Sequence, residues 1–165
     1  MALTTQIAAS IIATLTGIAD HGTPRATVEL VKKIDLATGT AAGQADKVFS
    51  DQRTLAASAT EDLDLAGVLA DLLGSTITMA KVKAIFIFAA AGNTNDVVVG
   101  NGTNPFLAGF GGATHTKAIP PGGFEMWYNP TGWTVTAATA DILKIANSAG
   151  GTPVTYDIII IGTSA

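Results

Sequence analysis

The 165-residue chain has no cysteine. Disulfide frameworks, zinc–thiolate sites, iron–sulfur clusters and cysteine nucleophiles are therefore excluded together. Charge is also scarce. Asp, Glu, Lys and Arg make up 13% of the residues, against about 25% in an ordinary globular domain. A monomer needs surface charge to stay solvated and unassociated, so this deficit predicts a surface partly hidden against neighbours. The net charge is −4, and the basic residues do not gather. The nearest approaches are Lys32 with Lys33 and Lys81 with Lys83. Binding DNA or RNA takes several phosphate-neutralising cations on one face, so direct nucleic-acid binding is not expected. No stretch reaches the ~20 apolar residues that cross a bilayer as a helix. Residues 1–18 are apolar but lack the basic start of a secretory signal. No membrane partner is expected.

What is present is period-two alternation, punctuated by 18 glycines and six prolines. In residues 27–36, Val28, Leu30, Ile34 and Leu36 share one face with Lys32, while Thr27, Glu29, Lys33 and Asp35 occupy the other. The pattern predicts a half-buried strand with one wet side. Leu63 and Leu65 alternate with Asp62 and Asp64, and Trp133 and Val135 with Thr134 and Thr136. Phe124, Met126 and Tyr128 alternate with Glu125 and Trp127. Residues 84–90 and 158–161 are apolar on both faces, which predicts central strands covered from two sides. A neighbouring subunit could supply the second cover. Many short strands separated by Gly, Pro and Asn turns, Asn129 to Gly132 among them, indicate an all-β, antiparallel sandwich.

One short helix is expected where Leu65, Val68, Leu69 and Leu72 fall at helical spacing, with Asp64 as N-cap and Gly74 as C-cap. Gly67 inside it costs about 1 kcal/mol relative to Ala. Residues 7–15 suit either a strand or a helix. The chain divides into an N-terminal segment, residues 1–20, read as a docking arm, and a single sandwich domain, residues 21–165.

No constellation of residues points to chemistry. His21 and His115 stand apart in predicted loops, and a transition-metal site needs several converging ligands. Asp62 and Asp64 begin like a calcium loop, but Leu63, Leu65 and Ala66 break the ligand pattern. Gly100-Asn101-Gly102 and Gly109-Phe110-Gly111-Gly112 open no predicted helix, so phosphate binding lacks its physical basis. No Gly-x-Ser-x-Gly elbow occurs, and the carboxylates are scattered along wet strand faces. The chain is read as a non-enzyme without metal or cofactor. Phe106 and Phe110 are read either as partner anchors at loop tips or as caps on the core. Trp127 and Tyr128 are read as a partner or ligand face, and Trp133 as core.

An ordered set of phrases carries a resemblance. Ala45-Asp46-Lys47-Val48-Phe49-Ser50-Asp51-Gln52-Arg53-Thr54-Leu55 leads into Glu61-Asp62-Leu63-Asp64-Leu65-Ala66-Gly67. Then come Gly74-Ser75-Thr76-Ile77-Thr78-Met79-Ala80-Lys81-Val82-Lys83-Ala84, Pro120-Pro121-Gly122-Gly123-Phe124 and Gly132-Trp133-Thr134-Val135-Thr136. Val154-Thr155-Tyr156-Asp157-Ile158-Ile159-Ile160-Ile161-Gly162 closes the set. It resembles small structural proteins of tailed bacteriophages. The resemblance implies a jelly-roll-like sandwich carried on the virion, often as a homotrimer that decorates or cements the capsid surface. It also implies assembly in the bacterial cytoplasm, and contact with the major capsid protein or another virion protein. A tail or head-fibre module that binds a host receptor or glycan is the alternative.

Overall fold

The computed structural model describes residues 2–67, 69–107 and 109–165. All its regular structure is β. It opens with two long strands, β1 (Thr5–Thr16) and β2 (Arg25–Thr38). A two-residue strand, β3 (Gln44–Ala45), leads into β4 (Lys47–Leu55) and β5 (Thr60–Asp64). Two short strands, β6 (Leu69–Ala70) and β7 (Thr76–Ile77), precede β8 (Lys81–Ala89) and β9 (Val97–Gly100). The chain ends with β10 (Thr116–Ile119), β11 (Phe124–Thr134), β12 (Ile142–Asn147) and β13 (Val154–Thr163).

Eight of these strands form two four-stranded sheets, with orders β11-β8-β13-β4 and β10-β9-β12-β5. Every pairing within them is antiparallel. Along the chain these eight strands alternate between the sheets except at β9 and β10, which adjoin in one sheet, and this double Greek key order is that of a jelly roll. The two runs apolar on both faces are the central strands of one sheet, with β8 between β11 and β13, and β13 between β8 and β4. Ile85 and Ile87 pair with Ile160 and Ile158, and all four are fully buried between the sheets. Leu63, Val97, Val99, Leu143 and Ile145 face them from the second sheet. Burial of each such side chain stabilises the fold by about 1.5–3 kcal/mol.

Three expectations need correction. No helix forms among the described residues around Leu65. Asp64 Oδ1 accepts from the Ala66 amide at 2.8 Å in a tight turn, and β6 then pairs with β7. Leu65 and Leu69 enter the core while Leu72 is 74% exposed, so the helical spacing marks no common face. Val68 lies outside the described residues. Residues 129–132, expected as a turn between strands, are a register shift within β11. The first strand of the predicted sandwich, residues 27–36, is not in the sandwich. It is β2, and it pairs with β1 from Thr5↔Leu36 to Thr16↔Arg25. Residue 20 therefore lies in the connection of a long hairpin, and the arm is two strands rather than one segment.

Candidate functional site

The hairpin of β1 and β2 is the feature that the sandwich does not explain. Its strands have 12 and 14 residues, against a usual five or six. Pairing alternates the side chains cleanly. Ile7, Ala9, Ile11, Ala13 and Leu15 share one face with Ala26, Val28, Leu30, Ile34 and Leu36. Lys32 is the one charged residue there. The opposite face holds Gln6, Lys33, Asp35, Glu29 and Arg25, with Ile12 and Val31 among them. Gln6 Nε2 donates to Asp35 Oδ1 at 2.8 Å across this wetter side.

The base of the apolar face is anchored. Leu36, Ile34 and Ile7 pack against Ala84, Ile161 and Tyr128 on the outer face of the β11-β8-β13-β4 sheet. Thr38 Oγ1 donates to the Leu3 carbonyl at 2.6 Å and ties the two strands where they leave the sandwich. Farther out the same face is uncovered. Ile11 is 67% exposed, Val28 67%, Leu30 53% and Leu15 76%. A two-stranded ribbon is marginal in water unless something covers its apolar side.

The sheet beneath the base is also apolar on its outer side. Register puts Phe124, Phe88 and Asp157 in one row, and Met126, Phe86 and Ile159 in the next. The Phe86 and Phe124 rings lie 5.7 Å apart. Phe124 and Ile159 are exposed, and Phe86, Phe88 and Met126 are half-buried. An open cleft separates Ile7 and Ala8 of the hairpin from Phe86, Met126 and Ile159. The arm and this sheet face together form one continuous apolar surface.

The aromatic residues expected to contact a partner are placed differently. Phe106 is buried in the core and not exposed at a loop tip. Phe110 folds back onto Trp127 with ring centroids 5.7 Å apart, and both pack against that core. Tyr128 points to the opposite side of β11, where it joins the cluster at the base of the hairpin. Trp127 and Tyr128 thus share no platform. Of the arm residues, Val28 and Leu30 are readable as alternating but not as exposed, and Ile11 and Leu15 lie in a run that suits either strand or helix. The available signal was strand length: two long alternating runs joined at His21-Gly22 can pair with each other over a span that a small sandwich cannot cover.

The polar clusters are occupied by their own members. Tyr156 Oη donates to Glu61 Oε1, and Arg53 Nη1 donates to Glu61 Oε2 at 2.6 Å. Arg53 also meets Asp51 at 3.0 Å and lies over the Phe49 ring. Asn95 Nδ2 donates to Asn147 Oδ1 at 2.9 Å, while Asn93 exchanges two hydrogen bonds with the Thr155 backbone. A cleft beside Leu3 is lined by Asp46 and Asp71. Ser164 donates to both oxygens of Asp46, and the Leu73 and Ser75 amides donate to Asp71. Among the described residues, no three His, Asp or Glu side chains converge as metal ligands. The strongest unexplained chemistry on this surface is hydrophobic.

Comparison with protein-family models, curated proteins and solved structures finds no match.

Proposed function

We propose that the chain is a non-enzymatic structural protein of a tailed-phage virion, a decoration or cement protein that binds the outside of the head as an oligomer. The observation that carries this reading is the projecting hairpin, with Ile11, Leu15, Val28 and Leu30 uncovered on a chain poor in charge. A ribbon of this kind costs stability and solubility in isolation, and is useful where a partner covers it. The phage resemblance supports the virion as the place of assembly, with the major capsid protein as the partner of the oligomer. Multivalent contact then gives tight attachment from individually weak sites. Because such a protein binds the assembled shell and not free subunits, it stabilises the shell by mass action.

The fibre-module alternative draws on an aromatic ligand platform. With Trp127 and Tyr128 on opposite sides of β11, no observation favours it. Imaging of purified particles tests the proposal. Density for this chain at every equivalent position of the head lattice is the expected result, and density confined to the tail or to one vertex would overturn it.

A further inference from the structure

Two uncovered apolar surfaces on one chain raise the question of whether they cover each other. Within a single copy they do so only at the base, where Ile7, Ile34 and Leu36 meet Ala84 and Ile161. There the two faces already show that they pack. Beyond the base the ribbon leaves its own sheet, so Ile11, Val28 and Leu30 lie open, and so do Phe124 and Ile159. We propose that the apolar face of the arm in one copy lies on the outer face of the β11-β8-β13-β4 sheet of a second copy, so that the chain forms a closed homo-oligomer by exchanging arms.

The packing already seen at the base and the charge on the two faces favour a second copy as the occupant. The arm face carries one charge, Lys32, and the exposed rows of the sheet face carry one, Asp157. These charges are opposite: Lys32 sits among apolar side chains that would desolvate it without compensation under a cover, and Asp157, between Phe88 and a Gln52 whose Nε2 donates to its Oδ1 at 2.7 Å, is the acid that the sheet offers it. The outer ribbon beyond the anchored base, residues 9–16, at about 3.4 Å per residue and two strands wide, offers roughly 250 Å² on one face. Stable complexes bury about 800 Å² per partner. One arm contact is therefore too small alone. A copy that gives its arm and receives one makes two such contacts, roughly 500 Å² in all by the same spacing, so the assembly is held by closure of several contacts rather than by any one of them. Donor and acceptor are different surfaces, so the contact is head-to-tail and closes as a ring or a reciprocal pair. The cleft between Ala8 and Phe86 is open to receive the incoming side chains.

This inference deepens the oligomer part of the proposed function and does not depend on the virion part. Its test therefore uses the purified full-length chain alone. Light scattering at micromolar concentration should give a multiple of 16.6 kDa. Leu30→Glu and Phe124→Glu should each yield monomers whose far-ultraviolet spectrum remains that of a β-sandwich, because both side chains are outside the core. Lys32→Asp and Asp157→Lys should each weaken association at least tenfold, and the double exchange should restore most of it. The absence of native cysteine allows a direct contact test. When single-cysteine proteins Leu30→Cys and Phe124→Cys are mixed with a short bismaleimide, a mixed dimer can arise only between copies, and it should form within minutes. A monomeric wild type overturns the inference, as does an oligomer indifferent to both glutamate variants or a mixture that yields no mixed dimer. A chain that stays monomeric alone yet binds empty heads through Leu30 also overturns it, assigns the arm to the shell and leaves the virion reading intact.

Discussion

Lys83 interrupts the apolar run of β8, and its side chain is buried. Its Nζ donates to the carbonyls of Thr131 at 2.8 Å, Pro130 at 3.0 Å and Ala41 at 3.3 Å. One ammonium thus ties the β11 irregularity to the segment after the arm. Burial pulls its pKa below the ordinary lysine value, with Lys81 adding repulsion. The charged form is held by those carbonyls, which have no other side-chain donor in this cluster. Lys83→Met should lower unfolding free energy by about 2 kcal/mol in urea titration, since charge-assisted bonds contribute roughly 1.5–3 kcal/mol while Pro130 and Ala41 keep the backbone amides of Gly43 and Gln44 as donors. Tyr156 offers a pH test. Burial, followed by its hydrogen bond to the Glu61 carboxylate, raises its phenol far above the ordinary 10.0. The folded pKa exceeds the unfolded one, so the stabilising contribution is intact below about pH 10 and drains away as pH rises beyond it. Absorbance titration should show Tyr156 ionising only together with unfolding, and Tyr156→Phe should remove that coupling. Reversible ionisation of Tyr156 in the folded chain would contradict this.

At the scale of elements, the β13 bulge and the arm behave in opposite ways. A Cβ on Gly162 would stand 2.6 Å from the Lys81 carbonyl oxygen and 2.7 Å from Met79 Sδ. The first contact is backbone and cannot rotate away, so the register shift between Ile161 and Gly162 requires glycine. Gly162→Ala should cost about 2–3 kcal/mol, read as a lower urea midpoint with an unchanged slope. The outer arm contributes nothing to the sandwich core. Shortening it by joining Ala8 to Lys33, which are paired, through an Asn-Gly turn should leave cooperative unfolding and the near-ultraviolet signal of Trp127 and Trp133 in place. Loss of that signal would show that the arm is a folding element rather than an assembly element.

For the whole molecule, stability is expected to be uneven. The sandwich interior joins Ile85, Ile87, Ile158 and Ile160 to the second sheet without a break. Its amides should open only with global unfolding. Amides at Ile11, Val28 and Leu30 should exchange quickly in the Phe124→Glu monomer and slowly in the assembled wild type. Equal protection in both forms would argue that the arm is rigid without a neighbour.

Alternation determined the all-β class and the inward direction of Val135 and Leu63, because a period of two follows from backbone geometry and is written locally, and runs apolar on both faces determined the central placement of β8 and β13. The same local signal could not separate a face that is apolar because it is buried from one that is apolar because it awaits cover, and so Val28 and Leu30 read as half-buried. Nor could it reject helical spacing around Leu65, where pairing of Leu69 with Ile77 prevailed over local preference. Only the tertiary structure decided that Phe106 enters the core, that Trp127 and Tyr128 part to opposite sides, and that β1 and β2 leave the sandwich as an arm. Those outcomes depend on which strands meet across long stretches of chain, and strand partnership is a property of the assembled sheet rather than of any window of sequence.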